Sequence, residues 1–483
     1  MKKKGEQEFL EYTDDIEEKF ALYRAENLCD IYNANQFKEL HGNNVRYCFK
    51  RNRWLIWNNK KWKFDEAEKI LLYAENTQKS LEWNAKTFED PNEQKRRLDH
   101  AKKLGSRQKL CDMIFIVRSH LPILPEDLDK DDFLFNIENG ILDLHTGILG
   151  NHDREKFITK ISPVTYKLSE ECPRWIQFLK EIMDGNERKI EYLQRAIGYS
   201  LTGSTRERVF FILYGTGANG KSTFLNTLTE LFGEYATTIP TSTLFSKTSD
   251  SIPNDIAKLR GSRFVTAYEG EEEKRLDEGL IKRMTGQDIM TARHLWEEYF
   301  DFFPKFKLWF ATNHKPIIWG NDKAIWDRIR LIPFTVTIPE ERQDKDLIDK
   351  LKCELTGILN WCVDGALKWQ KEGLGFPTEI KKATNDYRYE MDSLGSFLQD
   401  YCILADDNTI STLDNKITLF NLTEKRIPYV KSSKLYDKWV YVTGNKHISQ
   451  TLFSRKMIER GYVRKRFPDA QYWIGIGLLE DDI

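Results

Sequence analysis

Hydrophobic and polar positions change period several times along this chain, and the clearest pattern lies between residues 206 and 336. Val209-Phe210-Phe211-Ile212-Leu213-Tyr214 is a continuous apolar run of strand length, as a strand covered on both faces requires. Phe224, Leu225, Leu228, Leu231 and Phe232 then recur at helical spacing, and Gly233 follows as a C-cap. Further strand runs lie at 263–268, at 306–312 and within 326–334. This alternation of strand and helix predicts an α/β core. On either side the period is 3.6. Residues 174–203 read as helices, and so do residues 344–403, where Leu347, Ile348, Leu351, Leu355, Ile358 and Leu359 share one face.

The flanks are mixed. Residues 45–65 alternate around an Asn58-Asn59 turn signal, which predicts a β-hairpin. Its tryptophans, Trp54, Trp57 and Trp62, stand among Arg and Lys; they either stack on bases or fill a small core, and burial is the commoner use of Trp. Residues 85–110 read as helical and strongly basic. Pro122, Pro125 and the acidic run Glu126-Asp127-Leu128-Asp129 mark a boundary and a solvated linker. Short strands and turns follow over 136–166, and a polar stretch at 405–425 sets off a basic C-terminal module. The expected division is 1–130, a mixed α+β region with a Trp-rich hairpin; 131–205, a helical linking region; 206–340, the α/β core; 341–404, a helical extension; and 415–483, the C-terminal module.

Composition narrows the class. The 483 residues suggest roughly three domains at about 150 residues each. Lys and Arg number 74 against 75 Asp and Glu, which excludes a globally basic nucleic-acid coat but leaves room for a local basic face. An aromatic content of 13% is too high for disorder. The seven cysteines are dispersed with no C-x-x-C pair, so neither a zinc ribbon nor a redox motif is supported, and they read as reduced thiols. Lys2, Lys3 and Lys4 could open a signal peptide, but Glu6, Glu8 and Glu11 follow where its apolar stretch would have to be. With no long apolar run either, a cytoplasmic protein of a bacterial host without a membrane role is expected.

The sharpest chemical signal is Gly215-Thr216-Gly217-Ala218-Asn219-Gly220-Lys221-Ser222-Thr223, a G-x-x-x-x-G-K-[ST] match set between the first strand and first helix of the core. Glycines let backbone N–H groups converge on phosphate oxygens, and the positive end of the helix dipole faces the same anion. Lys221 is expected to reach the β- and γ-phosphates of ATP, and the Ser222 hydroxyl to join a Mg²⁺ shell. A nucleotide hydrolase also needs carboxylates at a neighbouring strand end. Glu269 ends the second run, with Glu271 and Glu272 behind it; one acid orients Mg²⁺ and another polarises water, and the residues alone leave their order open. Asn313 ends the third run, where its amide can bond the γ-phosphate or the water. Arg328 and Arg330 follow, where a subunit edge can lie.

In this order, the motifs resemble superfamily 3 helicases, and more narrowly the phage, plasmid and poxvirus-type primase–helicases. Met284-Thr285-Gly286-Gln287-Asp288-Ile289-Met290-Thr291-Ala292-Arg293 and Ala311-Thr312-Asn313-His314-Lys315-Pro316 carry the match, which covers roughly residues 133–403. The resemblance implies an AAA+-type P-loop ATPase core in a hexameric ring that moves along single-stranded DNA, typically 3′ to 5′. It makes residues 131–205 the family's collar region. Residue by residue it implies Glu269 as the second-motif acid, Asn313 as the sensor, and Arg328 as the trans-acting finger with Arg330 as runner-up. It also implies a DNA-gripping hairpin with strands around 289–295 and 299–302, and Arg293, His294 and Trp296 near its tip. Many relatives add a primase polymerase domain. Residues 1–130 show no acid pair or zinc cysteines for one, so a separate primase is expected.

The C-terminal module predicts a winged helix. Residues 432–440 start with a serine cap signal, 449–460 form a second helix stopped by Gly461, and 462–467 and 471–476 alternate as wing strands around Pro468-Asp469. From 424 to 470 there are twelve Lys and Arg against four Asp and Glu, in a chain whose net charge is −1. Gln450, Thr451 and Arg455 sit where base edges would be met, and Arg464, Lys465 and Arg466 where a wing meets phosphates. The expected protein is an ATP-dependent, ring-forming DNA helicase acting in replication of a phage, plasmid or other mobile element. Its rivals are an AAA+ remodeller and a sequence-specific DNA-binding initiator or regulator whose ATPase drives assembly.

Overall fold

A computed structural model describes residues 27–246, 254–269, 274–293, 299–318, 322–405, 422–423, 426–444 and 448–479. At the N-terminal side, helix α1 (Asp30–His41) leads into antiparallel strands β1 (Val45–Cys48), β2 (Arg53–Trp57) and β3 (Trp62–Phe64). Helices α2 (Ile70–Ala85), α3 (Pro91–Leu104) and α4 (Arg107–His120) complete the unit. The β2–β3 turn holds Asn59 at φ 72°, a left-handed position that Asn tolerates. Trp54 and Trp62 are buried, so these two hairpin tryptophans serve packing. Trp62 Nε1 also donates to the Arg154 carbonyl at 2.7 Å, tying this unit to the next. The acidic run before residue 130 is less solvated than its charge suggests. Asp129 is left-handed at φ 51°, and its carboxylate accepts from both the N–H (2.7 Å) and the hydroxyl of Thr159.

A small antiparallel sheet, β4 (Leu134–Ile137), β5 (Gly140–Asp143) and β6 (Ile148–Gly150), precedes helices α5 (Pro173–Ile182) and α6 (Glu187–Leu201). The core sheet then has five strands. They are β7 (Phe210–Tyr214), β8 (Ala236–Thr238), β9 (Phe264–Tyr268), β12 (Lys307–Thr312) and β13 (Ile329–Pro333), all parallel in the order β13-β7-β12-β9-β8. Helix α7 (Lys221–Phe232) follows β7. Period-two alternation divides the sheet between two apolar layers. Phe211, Leu213, Phe264, Trp309 and Ile332 face one, with α5, α6 and α7; Phe210, Ile212, Val265, Phe310 and Leu331 face the other. Both faces are covered, which explains why the strands read as unbroken apolar runs.

Helix α9 (Glu278–Thr285), which follows the one-turn α8 (Asn254–Ala257), leads into the hairpin β10 (Met290–Ala292) and β11 (Phe300–Phe302). Met290, Ala292 and Phe302 root that hairpin in the second layer. The one-turn helix α10 (Lys323–Trp326) precedes β13. The apolar face beginning at Leu347 divides into α11 (Leu347–Cys353) and α12 (Leu355–Glu372). Glu354 between them accepts the N–H groups of Arg174 and Trp175 (3.0 and 2.9 Å), serving the open N-terminus of α5. Helix α12 packs along α6 at a crossing only glycine permits. A Cβ on Gly198 would lie 2.0 Å from the Ala366 nitrogen, and one on Gly365 would lie 2.0 Å from the Gln194 carbonyl oxygen. The linking region, core and extension therefore share one apolar cluster.

Two buried cations bind the sheet to the end of α6. Arg263, just before β9, donates to the carbonyls of Leu201 (2.7 Å) and Leu134 (2.8 Å). Lys307, at the start of β12, donates to the carbonyls of Thr202 and Ser204 and lies 4.6 Å from the Tyr199 ring centroid. Burial drives its pKa well below the ordinary lysine value. Cations at a helix C-terminus meet unpaired carbonyls and the negative end of its dipole.

Helices α13 (Thr378–Met391) and α14 (Ser393–Tyr401) and strand β14 (Cys402–Leu404) complete the extension. The C-terminal module comprises β15 (Tyr429–Lys431), α15 (Ser432–Thr443), α16 (Gln450–Glu459), β16 (Val463–Arg466), β17 (Gln471–Ile474) and β18 (Ile476–Leu478). Strands β15, β17 and β16 form an antiparallel sheet, and β18 pairs with β14. Leu394, Phe397, Leu398 and Cys402 share a core with Leu435, Trp439, Phe453 and Trp473. Residues 393–404, assigned by sequence to the helical extension, thus pack as part of the C-terminal module. The serine signal at 432 also reads differently in three dimensions. Lys431 is the N-cap, and Ser432 is buried inside the helix; at the second helix, Ser449 does cap, accepting from Leu452 N–H.

Candidate functional site

Residues 215–220 join β7 to α7 at the C-terminal edge of the sheet, where Ala218 and Gly220 adopt φ of 56° and 84°. Backbone N–H groups that alternate in hand across such a turn form an anion-binding concavity. Gly220 has a packing reason as well, because a Cβ there would lie 2.5 Å from Ile182 Cγ2 of α5. At Gly215 a Cβ would lie 2.2 Å from the Phe334 carbonyl oxygen, whereas at Gly217 it would meet nothing within 4 Å. The loop is packed beneath and open above. Asn219 is buried and donates to the Thr216 carbonyl, while Ile338 N–H donates to the Ala218 carbonyl at 2.7 Å. Neither Asn219 as a latch nor Ile338 as a clamp could be inferred from the motif, which leaves those positions open.

Lys221 begins α7 and is buried. Its ammonium donates to the Gly215 carbonyl (2.5 Å), Asn219 Oδ1 (3.0 Å) and Asn313 Oδ1 (3.0 Å). Burial pulls its pKa down to about 8. Asn313, one residue beyond β12, is thereby brought to the loop from the neighbouring strand. Glu269, one residue beyond β9, is exposed and left-handed at φ 57°, and its N–H donates to the Ala311 carbonyl at 2.8 Å. The Ser222 side is exposed on the first turn of α7. Loop, Glu269 and Asn313 therefore meet along one edge, where the adjacent strands β7, β12 and β9 all end. Glu271 and Glu272 lie outside the described residues.

Arg328 sits at the other edge. Ile329 is opposite Phe210 and Pro333 opposite Tyr214, so Arg328 precedes β13 at the end remote from Gly215. Five residues of strand at about 3.3 Å each separate it from the loop by roughly 16 Å. Its guanidinium donates to Ala324 O (2.6 Å) and Thr285 Oγ1 (3.2 Å). Arg330 folds back on Asp327 O (2.7 Å) and stacks 4.2 Å from the Phe376 ring centroid.

Of the proposed hairpin contacts, Arg293 is exposed, 5.0 Å from the ring centroid of exposed Tyr299. His294 and Trp296 lie outside the described residues. In the C-terminal module Gln450, Thr451 and Arg455 are exposed on α16, and Arg466 is exposed on β16. Lys465 is half-buried on the same strand. Arg464 is turned inward instead: Nη1 donates to Ser454 Oγ at 2.9 Å and the guanidinium lies 5.5 Å from the Trp473 ring centroid. These contacts hold Arg464 against α16 and the Trp473 ring.

Comparison with known proteins agrees with this architecture. The D5 N terminal like family matches residues 34–184, and a family of unknown function (DUF5906) matches residues 213–328. The chain is 27% identical over 318 residues to the "Putative helicase L207/L206" of Acanthamoeba polyphaga mimivirus, covering 61% of this chain and 33% of that protein. It is 25% identical over 352 residues to the "Putative helicase 184R" of Invertebrate iridescent virus 6, covering 64% and 36%. A "Putative primase" of African swine fever virus is 25% identical over 326 residues, covering 61% and 33%. Two family models and relatives named putative helicase and putative primase thus make the chain similar to viral D5-like primase–helicases. It spans about a third of the length of these relatives. In overall fold it is similar to the apo structure of the NrS-1 C terminal region, with a TM-score of 0.54 at 13% identity, over 92% of this chain and 98% of that one. Among the described residues, no helix is long and apolar enough to cross a membrane.

Proposed function

We propose that this chain is the motor part of a DNA helicase that hydrolyses ATP during replication of a virus or other mobile element. The observation that carries the reading is the Lys221 ammonium, held at the mouth of an open glycine loop by Gly215, Asn219 and Asn313. Among the described residues a loop carbonyl and two amide oxygens hold it, so an arriving triphosphate offers it a stronger acceptor. The parallel order β13-β7-β12-β9-β8, with loop, acid and amide on one edge, supports an AAA+-type P-loop core.

The donor set fits nucleotide. The N–H groups of residues 217–222 and the α7 dipole would hold the β-phosphate, and Lys221 would bridge the β- and γ-phosphates. Mg²⁺, held through Ser222 and Glu269, would neutralise phosphate charge when bound. Asn313 would orient the attacking water or the γ-phosphate. A carboxylate among Glu269, Glu271 and Glu272 would take the water's proton as its oxygen bonds the γ-phosphorus and the bond to the β-phosphate oxygen breaks, releasing ADP and phosphate. In its own subunit Arg328 stands far from the loop, so its service as a finger requires a neighbour, as in a hexameric ring. Arg293 with His294 and Trp296 would grip single-stranded DNA, with 3′ to 5′ movement. The helix–helix–hairpin order of α15, α16, β16 and β17 supports a winged helix on duplex DNA, through Gln450, Thr451, Arg455, Lys465 and Arg466.

ATP turnover and displacement of a forked DNA substrate test this together. Lys221→Ala and Glu269→Gln are each expected to abolish both; near-normal turnover in either folded variant refutes the site. Full turnover with no strand displacement by the unaltered chain would favour a remodeller or an initiator.

A further inference from the structure

The basic helix α3 takes no part in the ATP site or in the DNA contacts named above. From 95 to 109 the chain carries seven Lys and Arg against one Asp, although its net charge is −1. Some of these cations have partners. Glu93 accepts from Arg96 (2.9 Å) and Arg97 (2.7 Å), and Lys109 pairs with Asp30 at 2.9 Å. The side chains of Lys95, Lys102, Lys103 and Arg107 are exposed and form no hydrogen bond or ion pair among the described residues. At 100° per residue, Lys95, Lys102 and Lys103 fall within an arc of about 100° on α3, opposite the buried Ala101 and Leu104. Exposed Arg107 opens α4 three residues beyond the end of α3, and Asp99 is the one acid in the stripe.

We infer that this stripe is a docking surface for the phosphate backbone of duplex DNA. Like charges gathered on one helix repel one another, and a polyanion relieves that repulsion while releasing its own counterions. Duplex is favoured over single strand because α3 carries no Phe, Tyr or Trp. Single-strand grooves pair cations with stacking rings, whereas a row of lysines is suited to backbone charge alone. The N-terminal unit that carries this helix is tied to the rest of the protein at several points. Lys61 pairs with Glu234, Lys60 with Glu138, and Arg154 Nη1 donates to Asn44 Oδ1 at 2.9 Å. The choice of DNA as polyanion rests on the helicase reading; the stripe itself does not.

The test is binding of a labelled 30-base-pair duplex by the full chain, titrated across about 50–200 mM salt. A variant with Lys95→Gln, Lys102→Gln, Lys103→Gln and Arg107→Gln is expected to bind at least about tenfold more weakly at the low-salt end. Its slope of log affinity against log salt should be shallower by about 0.9 for each phosphate it no longer neutralises. DNA-free ATP turnover and the thermal midpoint are expected to stay at the parental values. Should the fourfold variant misfold, Lys95→Gln and Lys102→Gln singly should each flatten the slope by about 0.9. An unchanged duplex slope overturns the proposal. So does an equal loss for a single strand of the same length, or a loss confined to an acidic polypeptide such as polyglutamate. Lys221→Ala protein should keep the full slope, so failure of the ATP site and failure of the stripe are read separately.

Discussion

Lys221 and Asn313 are joined by a 3.0 Å hydrogen bond that spans the glycine loop and the tip of the neighbouring strand. The amide oxygen holds the ammonium at the loop, so the free protein keeps its cation in place. A nucleotide that takes the ammonium would release the Asn313 amide toward the γ-phosphate. Asn313→Ala is expected to lower turnover by about 10²-fold or more, the usual scale for a positioned transition-state contact, with nucleotide binding weakened far less. Weakened binding with turnover at saturating ATP unchanged would place Asn313 in ground-state binding alone.

The same lysine sets a pH dependence. Its pKa is lowered to about 8, and only the ammonium form attracts phosphate. Apparent affinity for an ATP analogue should therefore be steady below pH 8 and fall as the pH rises through 8 and beyond. Lys221→Arg, whose charge does not titrate in this range, should flatten the curve whatever its absolute affinity. Calorimetric titration between pH 6.5 and 9.5 measures both.

Arg328 lies at the remote end of β13 from its own loop, so its loss should be repairable from another subunit. Arg328→Ala protein is expected to bind nucleotide and to lose on the order of 10³ in turnover. Mixed with Lys221→Ala protein, it should regain part of the activity, since some interfaces then join an intact loop to an intact finger. Mixed rings seen by native mass measurement but inactive would exclude a finger in trans.

Arg455 and Arg464 are separated by function although both lie in the basic module. Arg455→Ala should weaken duplex binding and leave the thermal midpoint alone. Arg464→Ala removes a hydrogen bond to Ser454 and a cation from the Trp473 face, so a loss of about 1–2 kcal/mol of module stability is expected. Thermal melts and duplex titrations of the two variants distinguish these outcomes.

Gly198 is where packing tolerates least. Gly198→Ala forces the α6 and α12 backbones apart and should cost about 1–3 kcal/mol or more, with Gly365→Ala behaving alike. An unchanged melting midpoint for Gly198→Ala would mean that this crossing is looser than its geometry implies.

The sequence by itself determined the strand–loop–helix at 210–232, the acid and amide at the ends of β9 and β12, and the helices and hairpin of the C-terminal module. These signals are local: apolar period, glycine spacing and turn residues act within a dozen positions. Lys221 and Asn313 are 92 positions apart, and only the parallel pairing of β12 with β7 brings the amide to the ammonium. Tertiary structure alone also decided that Arg328 lies far from its own loop, that Arg464 turns inward and that residues 393–404 belong with the C-terminal core. Gly198 and Gly365 likewise look like weak points of two helices until α6 and α12 meet. Which buried face finds which partner depends on pairing across long stretches of chain, and no local period encodes that choice.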